Sequence, residues 1–291
     1  DEAGTALTTG DNNVAIGFEA LVTEDAHGNN TAVGYRSLKT LNAGADGFNT
    51  AVGYQSGTSM TTGLENTLIG VNAGDALTDA DFNVAVGVNA LSTDTLGSRT
   101  VAIGRETLFN QNFTTATDSY NVAVGYRAGA AVTTGVQNTF VGGTTGTSTT
   151  DADYNVAMGY GALYTNTLGS KSTAIGVSAL QNQNYTTATD SNNTAVGYVA
   201  GLSITTGTLN TLIGGLAGDA LTTGAGNVVL GTSALGADTL GSLSTAIGYQ
   251  ALESQNFTTA TDTYNTAVGI NAGNKVTTGL RNTLIGALAG D

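Results

Sequence analysis

Asn30-Thr31-Ala32-Val33-Gly34 decides the reading of this chain, because close copies of it return throughout. Asn13-Val14-Ala15-Ile16-Gly17 and Asn66-Thr67-Leu68-Ile69-Gly70 are two, and thirteen more follow the same form. The closing glycine falls at 17, 34, 53, 70, 87, 104, 125, 142, 159, 176, 197, 214, 231, 248, 269 and 286. Most spacings are 17 residues, with one of 19 and three of 21. Aligned on that glycine, the preceding residue is always aliphatic, and the residue three before it is always Val or Thr. The residue four before it is Asn in every copy except Thr100, Ser172 and Ser244. Alternation with β-branched residues on one face is a strand pattern. A helix would not hold it and stop at glycine once per repeat.

A second register lies over the first. Four residues after the glycine the sequence reads Leu21, Leu38, Gly57, Gly74, and then Leu91, Leu108, Gly129, Gly146. The same order runs on through Leu163, Leu180, Gly201, Gly218, Leu235, Leu252, Gly273 and Gly290. Four segments therefore make one larger unit, and Gly87, Gly159 and Gly231 stand 72 residues apart. The approximate bounds are 5–74, 75–146, 147–218 and 219–290. The longer connection always joins the second segment of a unit to the third.

A 17-residue segment with one short strand cannot bury its own apolar face, whereas stacked coils make each coil's edge the partner of the next. The expected fold is all-β: a single parallel β-solenoid of sixteen coils in four super-repeats, roughly 75–80 Å long at the strand spacing. Asn at one position in coil after coil is suited to amide ladders and tight turns. With the Val/Thr and Ile/Val positions facing inward, the Ala row between them faces out. Leu68, Phe140, Leu212 and Leu284 then lie on an apolar stripe expected to pack on identical neighbouring chains. The alternative places that row under another part of the same coil. Neither end carries a recognisable cap, so the sequence reads as a window on a longer fibre.

Composition narrows function by exclusion. The 291 residues include 42 Gly, one His and no Pro, Cys or Trp, and acids outnumber bases 22 to 8 for a formal charge of −14. Without cysteine there are no disulfides, thiolate nucleophiles or Cys-based zinc sites. One histidine leaves little room for a Ser-His hydrolase. Scattered cations on an acidic chain do not suit a phosphate backbone, so no nucleic-acid partner is expected. No apolar run reaches the roughly 20 residues of a membrane span. Missing proline suits a fully paired sheet, where each proline would delete a ladder donor.

The segments Asn30-Thr31-Ala32-Val33-Gly34-Tyr35 and Ser172-Thr173-Ala174-Ile175-Gly176 resemble the head repeats of trimeric autotransporter adhesins of the YadA type. They are similar as well to long repeats in phage tail fibres. The resemblance covers essentially the whole chain. It implies a left-handed β-roll, a homotrimer with its chains intertwined or side by side, and a place on a bacterial cell surface or virion fibre outside the cell.

The long connections are near copies and bring together an aromatic, threonines and an acid. Phe113 with Asp118, Tyr185 with Asp190, and Phe257 with Asp262 form a mixture suited to stacking on a sugar and bonding its hydroxyls. A plain loop closing over the roll, or packing on a neighbouring chain, is the reading favoured over it. Asp79-Ala80-Asp81 and Asp151-Ala152-Asp153 read as solvated turn acids, since calcium needs six to eight oxygens. His27 reads as a surface turn residue. The expected role is structural: a fibre segment that spaces and presents attachment, with no enzymatic chemistry, cofactor or metal. A glycan- or receptor-binding module through the aromatic loops is the alternative, and an ice-binding threonine face is a more distant one.

Overall fold

The computed structural model describes residues 2–291 and is all-β, a parallel β-solenoid of about sixteen turns. The chain divides into two compact units, one through Gly143 and one from Thr144. In the first, eight three-residue strands pair in parallel, from Val14–Ile16 and Thr31–Val33 to Val122–Val124 and Thr139–Val141. The second repeats the arrangement from Val156–Met158 to Thr283–Ile285. Register matches equivalent positions of the repeat: Val14 pairs Thr31, Ala15 pairs Ala32 and Ile16 pairs Val33. Two-residue strands at the long connections, such as Gly97–Ser98 with Thr117–Asp118, add a second short ladder.

The glycine that closes each strand has a steric reason. Gly17 has φ +124°, and a Cβ there would lie 2.5 Å from the carbonyl oxygen of Gly34 in the next coil. Only a residue without a side chain accepts both that dihedral and that approach. The turns use other left-handed residues as well, including Asn12, Glu19 and Leu21 in the first coil and Phe82, Asn89 and Leu91 in the fifth.

The strand faces are the reverse of the sequence expectation. Ala15 is half-buried in the first coil, and the following members of its row, from Ala32 and Ala51 to Ala246 and Ala267, are buried. Leu68, Phe140 and Leu212 are buried with them, and Leu284 in the last turn is half-buried. The Val/Thr and Ile/Val rows point outward. The core is too narrow for large side chains from every wall, so the strand supplies alanine and the turns supply the bulk: Leu21, Leu38, Leu41, Met60, Leu77 and Leu91 are all buried.

That narrowness also gives the Leu-Leu-Gly-Gly order a physical meaning. A Cβ on Gly57 would lie 2.8 Å from Leu68 Cδ1 and 2.9 Å from Leu38 Cδ2. A Cβ on Gly74 would lie 2.8 Å from both Leu68 Cδ2 and Leu77 Cδ1. The turn carries glycine in the coil whose strand has leucine or phenylalanine and in the coil just before it, and the other two turns of the unit carry leucine. Phe140 repeats the relation with Gly129, whose Cβ would lie 2.9 Å from its ring.

Buried asparagines stitch the coils. Asn49 Oδ1 accepts the Asn66 backbone N–H at 2.9 Å, while Asn49 Nδ2 donates to the Gly63 carbonyl at 2.8 Å. Asn66 repeats both bonds, to Asn83 and Ala80. At the long connections Thr100, Ser172 and Ser244 replace asparagine and a buried glutamine takes over. Gln111 Nε2 donates to Thr100 Oγ1 at 3.1 Å and to Asp94 Oδ2 at 2.6 Å, and Gln111 Oε1 accepts from Asn121 Nδ2 at 2.9 Å. Asp94 Oδ1 takes the N–H groups of Gly97 and Phe113 at 3.1 and 3.0 Å. The carboxylate is enclosed but well supplied with donors.

Two sets of variants test this packing. Leu68→Ala should cost about 2–5 kcal/mol by emptying the core. Gly57→Leu alone should also destabilise, yet added to Leu68→Ala it should recover part of the loss. Chemical denaturation of the double-mutant cycle would show positive coupling, and strict additivity would reject the packing account. At the buried acid, Asp94→Asn should be near neutral, because Asn166 fills the corresponding place and accepts the Gly169 N–H at 3.1 Å. Asp94→Ala should cost about 1–3 kcal/mol for each donor left without an acceptor.

Candidate interaction surface

With the alanines turned inward, the apolar side chains left outside form rows on the outer strand face. The residue before each closing glycine is Ile, Val, Leu or Met, and none in this row is fully buried. Ile16 is 59% exposed, Met158 45% and Leu230 46%. The Val/Thr row runs beside it with Val14, Val156 and Val228 exposed. On the far side of the glycine stands a third row, where Phe18, Tyr54, Tyr126, Tyr160, Tyr198 and Tyr249 are exposed. Its first three rings stack: Phe18 on Tyr35 at 5.5 Å and Tyr35 on Tyr54 at 5.0 Å between centroids. Exposed aliphatic side chains are common singly, but within each unit they recur coil after coil as an ordered apolar row. Sequence alternation revealed two faces; it did not tell which one met solvent.

The loop aromatics do not project. Phe113, Tyr185 and Phe257 are only 5%, 4% and 6% exposed, which corrects the reading in which they reach outward to stack on a sugar and agrees with loops that close over the roll. They cover glycines of the preceding coil: a Cβ on Gly97 would lie 2.8 Å from the Phe113 ring, and one on Gly169 2.7 Å from the Tyr185 ring. The Tyr185 hydroxyl donates to the Gly207 carbonyl at 2.7 Å, and burial pushes its phenol up to about 12. Asp118, Asp190 and Asp262 remain at the surface. Asp118 pairs with Arg99 at 3.0 Å and Asp190 with Lys171 at 2.6 Å, whereas Leu243 stands where a cation would serve Asp262. Arg99 also lies over the Phe82 ring, 4.6 Å from its centroid.

Leu68, Phe140, Leu212 and Leu284 cannot form the expected stripe between chains, since the first three are enclosed by their own coils and the fourth belongs to the same inward row. The turn acids Asp79 and Asp81 flank a buried Ala80. Asp79 accepts from Thr62 Oγ1, and Asp81 Oδ1 accepts the Leu64 N–H at 2.8 Å, so these carboxylates cap turns. Asp75 is a different case, half-buried with Oδ1 enclosed and without a hydrogen-bond partner. Loss of solvent raises its pKa from 3.8 to about 6 against the pull of its own backbone N–H. Burial raises Asp219, in the corresponding turn, in the same direction.

Among the described residues no cleft or cavity opens, and no helix is long and apolar enough to cross a membrane. No protein-family model, curated protein or solved structure matches the chain.

The Asp75 pKa sets a sign for the pH dependence of stability. A folded-state value above the unfolded one means the contribution is fully present below pH 3.8 and is lost as pH rises through about 6. Asp75→Asn should therefore raise the melting temperature above pH 6 and leave it nearly unchanged below pH 4. Melting curves across that range check it; a gain of equal size at every pH would contradict it.

Proposed function

We propose that this chain is a structural segment of an extracellular trimeric fibre, of the adhesin or phage tail-fibre kind, which spaces and presents attachment to a cell surface. The observation that carries the reading is the outward row of Ile, Val, Leu and Met, repeated coil after coil within each unit on a solenoid whose own core is already filled. A row that every coil supplies is suited to a partner with the same repeat, and another copy of the chain has it. Three copies follow from the resemblance to trimeric adhesin heads, with the Ile/Val row as the contact in place of the Ala/Leu row. The four-coil super-repeat is the unit of construction, and the mechanism is mechanical rather than chemical. Net negative charge in the turns would keep separate fibres apart.

Light scattering or sedimentation should give three chains per particle. Replacing Ile69, Val86 and Ile103 together with Asp should release monomers that keep the β-sheet circular dichroism, because these side chains point away from the core. An unchanged mass in the triple variant would remove this face as the interface, and a monomeric parent would remove the trimer.

A further inference from the structure

The first long turn of the chain departs from its counterparts at several positions together. Glu24-Asp25-Ala26-His27 occupies the place of Asp94-Thr95-Leu96-Gly97, Asn166-Thr167-Leu168-Gly169 and Asp238-Thr239-Leu240-Gly241. In the next coil, Leu41-Asn42-Ala43 stands where the others have Gln111-Asn112-Phe113, Gln183-Asn184-Tyr185 and Gln255-Asn256-Phe257. The aromatic ring and the glutamine are thus both missing, and the glycine beneath the ring has become the only histidine of the chain.

The chemistry changes with them. Asp94 and Asp238 each take two backbone N–H groups and a glutamine Nε2, the latter at 2.6 Å. Glu24, fully buried, keeps the two backbone donors, His27 N–H at 3.2 Å and Ala43 N–H at 3.1 Å. Leu41 cannot supply the third. The His27 ring faces the carboxylate instead, its Nδ1 3.5 Å from Glu24 Oε1. That nitrogen is enclosed and has no hydrogen-bond partner. Asp25 stands at the solvent side, and one ligand atom from each of the three residues lies within 4.8 Å of the others.

We infer that Glu24, Asp25 and His27 form a binding site for a borderline divalent ion of the zinc class. With the His27 proton on Nε2, the Nδ1 lone pair and the Glu24 oxygen converge on one point, which only a proton or a cation can occupy. Ligands about 2.0–2.1 Å from zinc stand roughly 3.3 Å apart in a tetrahedron, close to the separation already present. Asp25, exposed, has the freedom to swing in as third ligand, and water completes the set. A nitrogen donor beside two carboxylates suits zinc better than calcium, which favours oxygen alone. With a neutral imidazole, the ion supplies the positive charge beside the buried Glu24. Binding to the folded chain only would stabilise this end of the solenoid.

Zinc chloride titrated into the full chain, with calcium chloride in parallel, tests the site. Calorimetry should give one zinc per chain, and zinc should raise the melting temperature where calcium does not. Because there is one histidine, long-range 1H–15N spectra report it without ambiguity, and Nδ1 should shift on adding zinc. His27→Gly and Asp25→Thr restore the residues of the other turns and should fold; each should weaken zinc binding at least tenfold. Equal binding by both variants would mean adventitious association with surface acids and overturn the site. A His27 Nδ1 resonance that stays protonated and unmoved in excess zinc would overturn it even if a variant failed to fold.

Discussion

Strict in-register stacking is the constraint on which the rest of this structure depends. A three-residue strand has no stability alone, so each coil must place its donors and acceptors on those of the next. Once Val14 lies on Thr31 and Ala15 on Ala32, every residue faces its own counterpart one strand spacing away. Like then meets like, and each residue type has to be one that tolerates itself as a neighbour. Asparagine does, because its amide is both donor and acceptor. Glycine does at the closing corner, where Gly17 meets Gly34. A charge does not, and the Glu19 carboxylate accordingly sits beside Arg36 and Lys39, each at 2.7 Å.

Self-stacking creates a second difficulty inside. A row of leucines on the strand would overfill a core this narrow, and a row of alanines with glycine in the turns would leave it hollow. The phase shift between Leu68 on the strand and Leu21 or Leu38 in the turn lets bulk enter from alternate walls. The long connections meet a polar version of the same difficulty. There Asn gives way to Thr100, Ser172 and Ser244, and Gln111, Gln183 and Gln255 rebuild the missing bonds. Left-handed corners such as Leu21 and Leu91 cost about 1–2 kcal/mol each relative to the right-handed form. Only a stack that fixes each corner from both sides can hold so many of them.

Much of this was legible in the sequence. The glycine period, the strand at each copy and the asparagine ladder follow from residue types whose physical demands are narrow. The direction of the strand faces was not legible, because alternation defines two faces and leaves their assignment to size. Choosing the larger aliphatics as core is sound for a broad sheet packed on another layer. It fails where the opposite wall is a turn only a few residues away, and there Ala51 goes in while Val52 stays at the surface. Phe113 left two readings open for a related reason: its neighbours Thr114, Thr115 and Asp118 are surface residues, and nothing local shows that Gly97 lies beneath its ring. The Leu-Leu-Gly-Gly order was visible as a pattern, but the volumes that explain it belong to residues on different coils.

The inverted faces change what the outer surface means. Had the large aliphatics been inside, their conservation of character along the chain would need no explanation beyond the core. Outside, Ile16, Ile69, Ile103 and Ile213 are not part of the enclosed core, and threonine at such a place would satisfy the strand as well. The neighbouring Val/Thr row shows that the sheet accepts threonine, since Thr31, Thr50 and Thr67 stand there in succession. An aliphatic residue nonetheless stands in all sixteen copies of the row before the glycine, and the core of the coil alone does not account for it. Alanine closes the chain upon itself, and the larger aliphatic row beside it stays at the surface.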